Sequence, residues 1–75
     1  MTSDQTPSPN LTPREIDVLN HLAAGNRPAG IASDLGIKEV TVHMHIRTAR
    51  AKLNAPTRES AIARAIGFGL ITVTL

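Results

Sequence analysis

The sequence predicts an all-α fold, a bundle of four helices, over residues 11–71. Apolar residues recur there at intervals of three and four, the spacing that places them on one side of a helix. Threonine, proline and glycine residues punctuate this stretch at the places where helices begin and end. With 75 residues the chain is one small domain, and it contains no cysteine, which excludes disulfides and thiolate metal ligands.

The first segment, LTPREIDVLNHLAAG, has the strongest signal for the start of a helix. Thr12 is a typical N-cap, Pro13 is tolerated at the first helical position, and Glu15 completes a capping box. Gly25 is the expected C-cap. The apolar positions, which include a hydrophobic staple across the cap, are Leu11, Ile16, Val18, Leu19, Leu22 and Ala23.

Two shorter segments, NRPAGIASDLG and TRESAIARAIGFG, predict the second and fourth helices. Asn26 is the expected N-cap of the second helix and Gly36 its end, whereas Thr57 and Gly69 should bound the fourth helix. The residues expected to face inward are Ile31, Ala32 and Leu35 in the second helix and Ala61, Ile62, Ala65 and Ile66 in the fourth. The apolar pair at residues 70–71 should fold back onto the core.

The two ends of the chain differ from this region. Residues 1–10, MTSDQTPSPN, are polar and proline-rich, which predicts a disordered arm or an interdomain linker. Residues 72–75 are expected to form a C-terminal tail without regular structure. The longest run without a charge, residues 65–75, is 11 residues, too short to cross a bilayer, so no membrane partner is expected.

Residues 41–46, TVHMHI, fit two periods and therefore two structures. With period two they form a strand with His43 and His45 on one face, a plausible start of a metal site. With the helical period, the apolar residues of this segment fall within an arc of about 60°, at about 100° per residue. These residues are Val42, Ile46, Ala49 and Leu53. A lone strand would have no partner, so we interpret the segment as a helix.

On a helix the two histidines lie about 200° apart and cannot share a metal ion. We therefore predict no metal site and no cofactor. His45 flanks the apolar arc and should be half-buried, with its hydrogen bonds satisfied locally. The outer arc consists of Val40, His43, Met44, Arg47, Arg50 and Ala51.

Charge is unevenly distributed along the chain. Residues 1–37 hold two arginines against four acidic residues, a net −2, whereas residues 38–75 hold six basic against two acidic residues, a net +4. A short helix, a glycine turn and a second helix with a cationic outer face form a helix–turn–helix, which inserts its second helix into the major groove of DNA. Phe68 is the only aromatic residue, which argues against single-strand binding by base stacking.

Five segments of the chain, in this order, resemble the LuxR-type (GerE) DNA-binding domain. They are LTPREIDVLNHLAAG, IASDLGI, TVHMHI, AKL and TRESAIARAIGFGLI. That domain forms the C-terminal half of many quorum-sensing regulators and of NarL/FixJ-type response regulators. The resemblance covers residues 11–71. It implies a four-helix domain that binds double-stranded DNA as a homodimer through its last helix, in a transcriptional regulator of the bacterial cytoplasm, located at the nucleoid. RNA polymerase is a further candidate partner.

The resemblance also implies roles for individual residues. The base-reading positions are His43, Met44 and Arg47. The candidates for contact with the DNA backbone are Arg27, Lys38, Thr41, Arg50 and Lys52. For Arg50 and Lys52 a solvated helix flank is an equal alternative. The positions at the dimer contact are Ala63, Arg64, Gly67 and Phe68. Glu15 and Arg58 match positions that we interpret as a structural ion pair or as caps.

The chain departs from the family pattern in ways that leave a second interpretation open. The family usually has a lysine-containing segment at residues 27–30, RPAG, and a serine or threonine cap at Lys38. These departures predict weaker DNA binding, and the alternative is a protein–protein interaction module on the same fold, which would show apolar residues on the outer face of the third helix. We predict that the chain is not an enzyme, because no nucleophile–base pair, phosphate-binding glycine loop or paired carboxylates are present.

Overall fold

The computed structural model describes residues 9–72, which form four helices. In chain order these are α1 (Pro13–Ala23), α2 (Pro28–Leu35), α3 (Glu39–Leu53) and α4 (Arg58–Gly67). No strand occurs within the described range, and the prediction of an all-α four-helix fold is confirmed. The predicted arm and tail fall largely on residues 1–8 and 73–75, which lie outside the described residues.

Helix α3 is the centre of the bundle. It packs against α1, α2 and α4, and α1 also contacts α2 and α4. All four residues of its predicted apolar arc, Val42, Ile46, Ala49 and Leu53, are buried. The helical interpretation of TVHMHI is therefore confirmed, because a strand would have turned Met44 to the same side as Val42 and Ile46.

The residues that flank the helices close the two ends of the core. Leu11, before α1, and Ile71, after α4, are both buried, and Leu70 packs against the core with part of its surface. The predicted return of residues 70–71 onto the core is confirmed. Ala55, in the turn between α3 and α4, is also buried, although no hydrophobic periodicity predicts its burial.

The prediction for the inner face of α4 is wrong at one position. Ala61 and Ala65 are fully buried, but Ile66 exposes 39% of its surface. Because Ile66 follows Ala65 directly, it points about 100° away from the line that faces α3. Two alanines allow α4 to approach the core closely, and the larger isoleucine remains outside.

The helix boundaries agree with the predictions to within one residue. Asn26 is not the N-cap of α2; that residue is Arg27, whose carbonyl accepts the first helical bond from the N–H of Ile31 (2.9 Å). Gly36, in the left-handed region at φ 69°, ends α2 as predicted. The C-caps of α1 and α4 are Ala24 and Phe68, and the glycine predicted in each case follows at the next position.

Candidate nucleic-acid interface

The face of α3 opposite the core is exposed along its whole length. Val40, Met44, Arg47 and Ala51 are all exposed, at intervals of four, three and four residues. At about 100° per residue these positions form one line along the helix. We call it the outer line of α3. It is the part of the helix that points directly away from the bundle.

Of the predicted base-reading residues, Met44 and Arg47 lie on the outer line and His43 lies beside it. Arg47 is exposed, and within the described residues its guanidinium forms neither a hydrogen bond nor an ion pair. Met44 exposes 49% of its surface. The three side chains share one surface, and none of them contributes to the core.

His43 has a neighbour that sequence reasoning missed. Its Nε2 lies 3.4 Å from Oε2 of Glu39, one helical turn earlier, and both side chains are about half exposed. The spacing of four residues on a helix is the signal that could have predicted this pair. A carboxylate beside His43 limits how closely a phosphate can approach it. His45 is half-buried as expected.

Two residues predicted to contact the DNA backbone, Arg27 and Lys38, lie at the starts of the two helices of the helix–turn–helix. Each is an N-cap residue with extended backbone, is exposed, and forms no capping hydrogen bond through its side chain. Thr41, half-buried, lies in the first turn of α3. The first N–H groups of a helix carry partial positive charge, and a cation beside them adds to it. Both helix starts are therefore suited to a phosphate oxygen.

Arg50, a candidate for contact with the DNA backbone, forms hydrogen bonds within the domain. Its Nε donates to the carbonyl of Ala55 (3.4 Å) and its Nη2 donates to the carbonyl of Pro56. Between Arg50 and these two carbonyls the chain reverses at Asn54, which adopts the left-handed conformation at φ 54°. The half-buried Arg50 thus holds the turn from α3 to α4.

Lys52 is also bound within the domain. Its ammonium group lies 2.9 Å from Oε1 of Glu15, which is only 3% exposed. The same carboxylate accepts a hydrogen bond from the backbone N–H of Thr12 (2.8 Å) and, at Oε2, from the hydroxyl of Thr48 (2.6 Å). The Glu15 network, formed by these four residues, ties the start of α1 to the second half of α3.

The pKa of Glu15 shows how strongly this network holds the charged form. Burial by itself raises the pKa of the carboxyl, but the hydrogen bonds from Thr48, Lys52 and Thr12 and the charge of Lys52 outweigh it and lower the pKa from 4.5 to about 2. The capping role expected for Glu15 is present. The expected ion pair between Glu15 and Arg58 is wrong: the ionic partner of Glu15 is Lys52, and Arg58 stands at the first position of α4.

The predicted dimer residues lie together on α4. Ala63, Arg64, Gly67 and Phe68 are all exposed, and Phe68 exposes 42% of its surface. Ile66 is exposed as well, but it is two residues from Phe68 and therefore points about 200° away from it around the helix. We call the predicted set, Ala63, Arg64, Gly67 and Phe68, the α4 surface.

Two features of residues 9–72 bear on other functions. Nowhere in this range do three or more histidine, aspartate or glutamate side chains converge in a way that could hold a metal ion. None of the described helices combines the length and the apolar character that crossing a membrane requires.

Comparisons with known proteins agree with this geometry. The family model GerE, described as bacterial regulatory proteins of the luxR family, matches residues 9–65. The quorum sensing-dependent transcriptional regulator VjbR of Brucella ovis is 43% identical over 61 residues, which are 81% of this chain and 24% of VjbR. The nitrate/nitrite response regulator NarP of Escherichia coli is 46% identical over 59 residues, 79% of this chain and 27% of NarP.

Among solved structures, that of the Vibrio cholerae VqmA dimer in the absence of target DNA superimposes with a TM-score of 0.76 and 35% identity. The match covers 85% of this chain and 30% of VqmA, which is described as a LuxR-type receptor. The chain spans about a quarter of the length of the curated relatives it matches. Since the family model matches most of its residues, the chain belongs to the LuxR family of bacterial regulatory proteins.

Proposed function

We propose that residues 11–71 are the DNA-binding domain of a bacterial transcriptional regulator and that α3 enters the major groove of its target. One observation carries the proposal. The outer line of α3 and the adjacent His43 hold exposed side chains without a part in the core, while the opposite side of the same helix is fully buried. An exposed helix face of this kind can be inserted into a groove without disturbing the fold.

The contacts divide into two kinds. Arg47 can donate two parallel hydrogen bonds to a guanine, and Met44 and His43 lie close enough to contact adjacent base edges. Arg27, Lys38 and Thr41 are proposed to hold phosphates, which fixes the position of the domain without distinguishing sequences. Arg50 and Lys52 are bound to carbonyls and to Glu15, so we assign their side chains to the fold.

Dimer formation through α4 is part of the proposal. The α4 surface combines two small residues at Ala63 and Gly67, which allow close approach, with the exposed aromatic side chain of Phe68. A second copy would cover these groups from water. Contact with RNA polymerase and location at the nucleoid stay predictions that follow from the regulatory role. The arm or linker at residues 1–10 and the tail at residues 72–75 stay predictions from composition.

One observation favours the second candidate, a protein-interaction module. Val40 and Met44 are apolar and exposed on the very face that is proposed to meet DNA. Such side chains are common where a helix docks on another protein. The two functions differ in their response to salt, because only the contact with DNA displaces counterions from phosphates.

The test is the affinity of the 75-residue chain for a random-sequence duplex at a series of salt concentrations, measured by fluorescence anisotropy. We expect log K to fall linearly with log salt, with a slope that corresponds to several displaced counterions. Lys38→Gln should make the slope shallower by about one unit, whereas the neighbouring control Glu39→Gln, which removes no cation, should not make it shallower. No binding at low salt would contradict the proposal and favour the interaction module.

A further inference from the structure

The most exposed large apolar side chain in the described part of the chain is Val40. It exposes 70% of its surface at the second position of α3, and Met44 follows one turn later on the same side. Neither residue packs into the core, and α3 does not need them for its start or its end. A function in binding is the explanation that this position suggests.

Both side chains lie on the outer line, ahead of Arg47. At about 100° per residue, Met44 is rotated about 40° from Val40 and Arg47 about 20° in the opposite sense. The start of a helix that enters the major groove is the part that comes closest to base edges. Val40 and Met44 would therefore face base edges rather than phosphates.

The chemistry of the groove then restricts what these residues can recognise. They offer no hydrogen-bond donor or charge, and the one apolar group that a base pair presents in the major groove is the C5-methyl group of thymine. We propose that Val40 is a specificity-determining residue that, with Met44, forms an apolar ridge in contact with thymine methyl groups. This inference rests on the proposed function.

The helix geometry sets the spacing of the thymines. Four residues rise about 6 Å along the axis, and successive bases of one strand are about 3.4 Å apart. The methyl groups touched by Val40 and Met44 therefore lie no more than about two base-pair steps apart. Arg47 contacts the next base pairs on the side of Met44, so thymines should adjoin the guanine of each half-site.

The experiment begins with selection of the preferred duplex from a random library by the 75-residue chain. Each thymine of the selected site is then replaced by uracil, which removes the methyl group and keeps the pairing edge. Affinities are measured for the wild-type chain, Val40→Ala, Met44→Ala and, as a control, Ile66→Ala, an exposed aliphatic residue on α4. The readout is the ratio of the affinities for the thymine and uracil duplexes.

In the wild-type chain, uracil at one or two positions should lower the affinity about fourfold per methyl group lost from contact. Val40→Ala should bring the ratio of the thymine and uracil affinities close to one at one position of the site. Met44→Ala should do the same at a second position, within two base pairs of the first. Ile66→Ala should leave every ratio as in the wild type, whatever it does to the affinity itself. Because all three are surface substitutions, circular dichroism should show unchanged helix content.

Two results would overturn the inference while leaving the proposed function in place. In one, the chain binds duplex DNA with the expected salt dependence but no uracil substitution matters. In the other, the sensitivity to uracil persists in both Val40→Ala and Met44→Ala. Failure to bind any duplex at low salt would instead remove the proposed function, and the apolar ridge would then belong to a protein interface.

Discussion

Helices α1 and α4 satisfy their first backbone N–H groups with their own side chains, whereas α2 and α3 do not. Thr12 and Thr57 each form a complete capping box, the first with Glu15 and the second with Ser60. At the corresponding positions of α2 and α3 stand two cations without capping bonds. A capping side chain contributes about 1 kcal/mol, and a cation near a helix N-terminus is unfavourable by about 0.3–1 kcal/mol.

The two helices of the helix–turn–helix thus lack the capping box that the other two possess, and the first turn of α3 carries one acidic residue, Glu39. Their stability comes from packing, because α3 buries four residues and α2 buries Ile31 and Ala32. The same arrangement leaves backbone N–H groups without an acceptor beside a positive charge. A phosphate oxygen could accept hydrogen bonds from these N–H groups. Changes in the capped helices should therefore act on stability, and changes at the starts of α2 and α3 should act on DNA binding.

The largest effect on stability is expected at Glu15, where the capped part of the fold meets α3. Glu15→Gln removes the charge that binds Lys52 and leaves that ammonium group without its buried partner. The free energy of unfolding should fall by about 3 kcal/mol at pH 7, measured by urea denaturation. Glu59→Gln, at an exposed position of the first turn of α4, is the control and should change it by less than about 1 kcal/mol.

The same substitution has a pH signature. The pKa of Glu15 is about 2 in the folded chain against an ordinary value of 4.5. A lowered folded-state pKa means that the carboxylate stabilises the fold fully above the ordinary value and loses this effect as the pH falls toward 2. The wild-type chain should therefore lose stability steeply between about pH 5 and pH 2, and Glu15→Gln should lose less. Equal slopes for the two proteins would contradict the assigned network.

Arg47→Ala should have the next largest effect, on binding rather than on folding. Loss of a bidentate contact with guanine should weaken binding to the selected duplex by about 1–3 kcal/mol and relax the preference at one base pair. Arg14→Ala removes the same charge from α1, where Arg14 lies 3.6 Å from Asp17, and should leave the base preference unchanged. An unaltered preference in Arg47→Ala would show that Arg47 does not contact a base.

A smaller effect is expected at the capping box of α4. Thr57→Ala removes the hydroxyl that accepts the N–H of Ser60 (3.0 Å), so the free energy of unfolding should fall by about 1 kcal/mol. Thr57→Ser keeps the acceptor and should restore most of the loss. If thermal unfolding shows no difference between the alanine and serine variants, the cap does not stabilise the domain as the comparison assumes.

Much of the fold could be predicted because its determinants are local. The four buried residues of α3 and the caps Thr12, Gly36 and Thr57 follow from spacing and from residue type within one or two turns. Local rules also place His43, Met44 and Arg47 on the outer face, although their contact with DNA remains a proposal. The error at Asn26 has a local cause, since two neighbouring residues can cap the same helix.

The remainder depends on contacts between distant residues. Lys52 and Glu15 are 37 positions apart, and no periodicity connects them, so sequence reasoning left Lys52 as a candidate for phosphate contact. Arg50 was a candidate for the same contact, and the turn after α3 brings two carbonyls to its guanidinium. Ile66 faces outward because two alanines, and not the larger side chain, occupy the contact with the core.

The smallest expected effect is the sharpest test of the comparison between capped and uncapped helices. A substitution at Lys38 should change stability and DNA affinity in opposite directions. Lys38 has the extended backbone of an N-cap residue, at φ −76° and ψ 149°, so Lys38→Thr can form the cap that α3 lacks. The free energy of unfolding should rise by about 0.5–1 kcal/mol, while the dependence of log K on log salt should become shallower by about one unit. Lys38→Ala, which removes the charge without adding a cap, should reproduce the change in slope without the gain in stability. If Lys38→Thr gains stability and keeps the wild-type slope, the uncapped start of α3 has no part in holding a phosphate.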